Sequence, residues 1–151
     1  MANEAYRAVF LRVHPTGKMV LSLTTESDGH EQEYAQLVAD DLGVPALDVK
    51  VVPADTDRFG NGHGFNTSPS PGTPDAVRSA TEKILTKARL LAGTALDTPA
   101  DGLRWEDGAF LGPGDGQPAR SIADLAMYAH GTGALPPGVE GGLDAQTVYR
   151  D

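Results

Sequence analysis

Groups able to bind an anion crowd the stretch GNGHGFNTSPSPGTP, residues 60–74. Glycine lets the backbone approach a ligand closely, and the hydroxyls of Thr67, Ser68 and Ser70 can donate. A helix start follows, and these are the ingredients of an anion-binding nest. The spacing fits neither a P-loop nor a dinucleotide fingerprint, so these residues taken alone favour an ordinary crossover loop. DGHE, residues 28–31, opens a helical pattern. Asp28 as its cap with Glu31 at a box-like spacing is the simpler reading, and contact of His30 with a ligand is the alternative. DTDRFGNG, residues 55–62, has calcium-loop character at Asp55, Asp57 and Asn61, but Phe59 breaks the spacing and no glutamate closes it. His14, His30, His63 and His130 fall in different elements without HExxH spacing, which disfavours zinc. No G-x-S-x-G is present, and with no cysteine there is no disulfide, thiolate nucleophile or iron–sulfur ligand.

The elements that hold these residues are legible in outline. YRAVFLRVH (6–14), the turn PTGK and MVLSLTT (19–25) predict a β-hairpin. HEQEYAQLVADDLG (30–43) sets Tyr34, Leu37, Val38 and Leu42 at helical spacing, with Gly43 as C-cap. A short strand is expected at 49–52. A long helix follows the glycine-rich loop, with Thr73 as N-cap, Pro74 at its first position and Asp75 in its first turn. Val77, Ile84, Leu85, Ala88, Leu91 and Leu96 carry its apolar face. One helical turn and a small hairpin across Asp107-Gly108 come next, where Trp105 suits core packing. Ser121 caps a shorter helix that carries Tyr128, GTGALPPGVEGG is irregular, and LDAQTVYRD ends as a strand. Strands and helices mix without regular βαβ alternation. The expectation is therefore α+β: a single domain, residues 1–151, with a mixed or antiparallel sheet packed by two or three helices. A final strand with exposed edges wants a partner, so the chain reads as part of something larger.

A length of 151 residues suffices to bury a core, and 18 glycines with 11 prolines imply abundant loops. The net charge of −9 argues against nucleic acid or an anionic membrane surface, because polyanions repel. No apolar run is long enough to span a bilayer, and the N-terminus lacks the pattern of a signal peptide, so the expected location is the cytoplasm.

The run GHEQEYAQLVADDLGVPALDVKVVPADTDRFGNGHGFNTSPS, residues 29–70, resembles the molybdopterin-binding large subunit of the xanthine oxidase family, and within it the aerobic carbon-monoxide dehydrogenase branch. There a strand leads to GQGHET, a helix ends ADELGVP, a strand reaches GDTD, and a GSRS-like loop precedes a long helix. The ending LPPGVEGGLDAQTVY is similar too. The resemblance covers nearly the whole chain. It implies that two turns, Ser27-Asp28-Gly29 and the loop at Thr67, Ser68 and Ser70, bring backbone amides and side chains to the molybdopterin cofactor, in its plain or cytosine-dinucleotide form. It implies no catalytic and no metal-ligating residue in this chain, because the family's catalytic glutamate and metal-side loops lie outside the matched segment. The implied function is the cofactor-binding part of a molybdenum hydroxylase-type oxidoreductase, one wall of the molybdopterin cleft, inactive alone and loaded only in the assembled complex. The implied partners are the remaining part of the large subunit and the iron–sulfur and flavin subunits. Two departures support a rival, a structural or assembly module that kept the fold and lost the cofactor. Asp28 replaces a glutamine, and a carboxylate cannot donate a hydrogen bond. Pro69 removes one backbone donor.

Overall fold

Alternation of apolar and polar residues builds the first sheet. Residues 7–25, 27, 29–54, 71–113, 119–131 and 135–149 are described by this computed structural model. Strands β1 (Arg7–Val13) and β2 (Met19–Leu23) form the expected antiparallel hairpin, with Leu11 opposite Leu21. The hairpin closes where His14 donates to the Lys18 carbonyl at 2.8 Å. Helix α1 (Glu31–Leu42) then carries the chain back, and β3 (Val49–Val52) adds to β2 in parallel, as a helical crossover permits. The last strand, β7 (Asp144–Tyr149), pairs antiparallel with β1, so the order is β3-β2-β1-β7. The sheet is mixed, and the fold is α+β.

Helix α2 (Thr73–Ala95) crosses β1 and β7 and packs against α1. Leu11 and Leu21 from the sheet, Val38 and Leu42 from α1, and Ile84 and Leu91 from α2 meet in one buried core. Each such side chain contributes roughly 1.5–3 kcal/mol by leaving water. The anticipated apolar face of α2 is the buried one, with Leu85 half-buried and Leu96 just past the helix end.

Beyond α2, a single helical turn (Ala100–Gly102) leads to β4 (Arg104–Glu106) and β5 (Ala109–Leu111), joined across Asp107 and Gly108. Both turn residues have positive φ, 50° and 76°, as a tight two-residue hairpin requires. Strand β6 (Arg120–Ser121) completes a three-stranded antiparallel sheet and runs into α3 (Ile122–His130). The Trp105 and Phe110 rings sit 4.6 Å apart, and the Arg89 guanidinium lies 5.1 Å from the Phe110 ring. Described residues 135–143 form no helix or strand, in line with the irregular segment expected there.

Two helix starts differ from expectation. The cap position of α1 is His30 and that of α2 is Gly72, and neither end has a side-chain cap. Thr73 sits one residue inside α2, fully buried, with its hydroxyl bonded to the Tyr149 hydroxyl at 2.8 Å. A tertiary partner has claimed the group that local pattern assigned to capping. Asp28 itself lies outside the described residues. At the start of α1, the Ser27 hydroxyl donates to the Glu31 carboxylate.

Candidate functional site

Parallel pairing of β2 with β3 brings their carboxyl ends to the same end of the sheet. That geometry matters because the first candidate turn, residues 27–29, follows β2, while residues 60–70 follow β3. The two exits are tied together: the Ala54 amide donates to the Thr25 carbonyl at 2.7 Å. Thr24 anchors the β2 exit to β1, its hydroxyl accepting from the Ala8 amide at 2.9 Å and donating to the Ala8 carbonyl at 3.2 Å. Thr24 and Thr25 are fully buried, which suits side chains and main chain whose polar atoms are matched in place.

The third component is the head of α2. Arg7 pairs with Tyr149 in the β1–β7 register, at the same end of the sheet as the two exits, and Tyr149 holds Thr73 there. Arg7 is a buried cation at that end, 8% exposed. One end of the sheet therefore gathers the exit of β2, the exit of β3 and the start of the long helix. In open sheets with parallel strands, ligands settle outside strand carboxyl ends.

Of the six residues expected to touch a cofactor, the described structure includes Ser27 and Gly29. Asp28, Thr67, Ser68 and Ser70 lie outside the described residues, as does the expected approach of the 60–70 loop to Asp28-Gly29. Gly29 is exposed with φ 79°, a left-handed conformation that glycine adopts without strain. Among the described residues, a Cβ at Gly29 would meet nothing within 4 Å. The first-turn amides of α1 have no intrahelical acceptor, and no side chain of the cap residue takes one. Against these donors stand Glu31 and Glu33 in the same turn. The imidazole Nδ1 of His30 lies 3.2 Å from the Glu33 carboxylate, and the Ser27 hydroxyl is engaged by Glu31.

Among the described residues, this turn therefore presents the main-chain amides that open α1, with the carboxylates of Glu31 and Glu33 beside them. Among the described residues no group of three or more His, Asp or Glu could hold a metal ion. Among them, too, no helix is long and apolar enough to cross a membrane. The residues that pattern reading missed are Tyr149 and Lys83. The Lys83 ammonium donates to the Gln146 carbonyl at 2.7 Å and to the Thr147 hydroxyl at 3.1 Å, lacing α2 to β7. Helical and strand periodicity carry no signal for either bond.

The chain belongs to the molybdopterin cofactor-binding domain family, whose model matches residues 1–151. It is similar to the carbon monoxide dehydrogenase large chain of Afipia carboxidovorans, 33% identical over 144 residues, covering 92% of this chain and 17% of that one. The large chain from Hydrogenophaga pseudoflava is 33% identical over 142 residues, with coverages of 92% and 17%. The solved structure of reconstituted CO dehydrogenase from Oligotropha carboxidovorans superposes with a TM-score of 0.80 at 29% identity, over 95% of this chain and 18% of that one. This chain thus spans 17% of the length of the large chains it matches.

Proposed function

We propose that this chain forms one wall of the molybdopterin cleft of a molybdenum hydroxylase-type oxidoreductase, and that it is inactive alone. The observation that supports this reading most directly is the Ala54–Thr25 hydrogen bond, because it brings the chain toward both candidate turns from neighbouring points. Gly29 and the amides opening α1 would take the phosphate-bearing part of the cofactor, with Ser27 and Asp28 beside it. Thr67, Ser68 and Ser70 would supply hydroxyl donors from the second turn. The bound cofactor, plain or as its cytosine dinucleotide, supplies the molybdenum redox chemistry. This chain binds and orients it and excludes water from one side, with no catalytic base of its own. The partners are the remainder of the molybdopterin-binding large subunit and the iron–sulfur and flavin subunits, together in the cytoplasm.

One observation favours the rival, a structural or assembly module. The Ser27 hydroxyl is spent on Glu31, and Glu31 and Glu33 put negative charge in the turn that follows. The test is co-purification from the native host, with molybdenum and pterin measured in the complex. Roughly one cofactor per complex supports the cofactor-wall reading. A stable complex that holds this chain without molybdenum or pterin selects the structural module.

A further inference from the structure

We infer that Tyr149 is a positioning residue, which fixes the head of α2 through its hydrogen bond to Thr73. Thr73 is 0% exposed and stands at the first position of a 23-residue helix, yet its hydroxyl turns away from the helix's own amides to meet the Tyr149 hydroxyl at 2.8 Å. The bond joins residues 76 positions apart. It is the first rung of a seam along α2: the Thr147 hydroxyl donates to Ser79 Oγ at 3.3 Å, and Lys83 reaches Gln146 and Thr147. The three rungs descend β7 as they ascend the helix, so they set both the tilt of α2 and where its first turn sits along the sheet.

The apolar face holds α2 from Ala76 and Val77 onward, both buried in the core. Ahead of them the helix has fewer ties of its own: Gly72 occupies the cap position, no side chain caps the end, and Pro74 offers no amide hydrogen. The Ala76 amide, donating to the Gly72 carbonyl at 3.1 Å, is the first rung of the helical ladder. Deleting the tyrosine hydroxyl removes the side-chain bond nearest that rung and leaves a buried threonine hydroxyl without it. The inference rests on the proposed function in one respect only: the head so fixed is the one reached from residues 67–70, where the cofactor donors are proposed.

Hydrogen exchange of the full 151-residue chain tests the clamp in three variants, Tyr149→Phe, Thr73→Val and Thr73→Ser. With Tyr149→Phe and Thr73→Val, the Ala76 and Val77 amides should exchange about tenfold faster, as expected for losing one part-buried hydrogen bond. Amides around Leu91 and in α3 should stay at their parent rates. Thr73→Ser keeps a hydroxyl and should stay near the parent at Ala76. Unchanged exchange at Ala76 in Tyr149→Phe overturns the inference. So does acceleration spread evenly over all amides, which marks a merely global loss of stability. A second readout is the molybdopterin content of the complex carrying Tyr149→Phe. A fall in content alongside local loosening supports the inference and its link to the cofactor. Local loosening with full cofactor content leaves the clamp standing and removes the proposed contact between this end of the domain and the cofactor.

Discussion

Gly43 carries two demands at one Cα. As the residue closing α1 it adopts φ 68°, a left-handed conformation, and its amide returns to the Ala39 carbonyl. It also lies under the β4–β5 turn, where a Cβ would stand 2.3 Å from the Gly108 Cα. The first demand alone costs a non-glycine residue about 1 kcal/mol, and the backbone overlap forces the hairpin turn to move. Gly43→Ala is therefore expected to destabilise the chain by roughly 2 kcal/mol or more, read as a lower midpoint in urea denaturation. Asp28 poses the opposite case, a residue whose proposed effect is on binding. Beside an anionic cofactor its carboxylate repels, whereas a glutamine donates a hydrogen bond, a difference worth on the order of tenfold in affinity. Asp28→Gln should raise cofactor retention of the assembled enzyme after dialysis, and Ser70→Ala should lower it. If both variants match the parent, those two turns do not touch the cofactor.

Among elements, the start of α3 contrasts with that of α2. Ser121 Oγ accepts from the Asp124 amide at 3.1 Å, and the Ser121 amide donates to the Asp124 carboxylate at 3.0 Å. This reciprocal box lies within four consecutive residues, so a serine ahead of an apolar run is enough to locate it. Ser121→Ala should cost about 1 kcal/mol of stability in chemical denaturation, with the fold retained. Thr73 offers the same kind of side chain at a helix start and does something else, because the Tyr149 hydroxyl lies within reach and shares a hydrogen bond with it across the fold. The β4–β5 hairpin behaves like α3: Asp107-Gly108 is a local turn signal, and the two residues take the positive φ values it implies.

For the molecule as a whole, the sheet order supports the proposed role as one wall of a cleft. Two parallel strands release the chain at one end, and the head of α2 is clamped at that end as well. The described residues bring donors to that end and assemble no metal-ligand cluster. If the chain is one wall of a larger cleft, as proposed, the purified chain alone is expected to carry no molybdenum and to oxidise none of the substrates of its relatives. Elemental analysis that recovers about one molybdenum per isolated chain would contradict this.

How much of this was readable in advance follows from the range of each interaction. The β1–β2 hairpin, the helix closing at Gly43, the strand at 49–52, the capping box at Ser121 and the 107–108 turn arise from contacts a few residues apart, so periodicity and turn chemistry reveal them. The quoted motifs, by their order along the chain, also revealed the family, and so the positions where cofactor contacts are proposed. Three features depended on the folded chain. The parallel addition of β3 to β2 sets both exits at one end, and periodicity is blind to which strand is a neighbour. The contact of Gly43 with Gly108 joins two turns that each look self-sufficient. The Thr73–Tyr149 bond spans 76 positions, and a hydroxyl does not advertise which of several partners will reach it. Local conformational preference is written into neighbouring residues, whereas a choice between distant hydrogen-bond partners is made when the core brings them together.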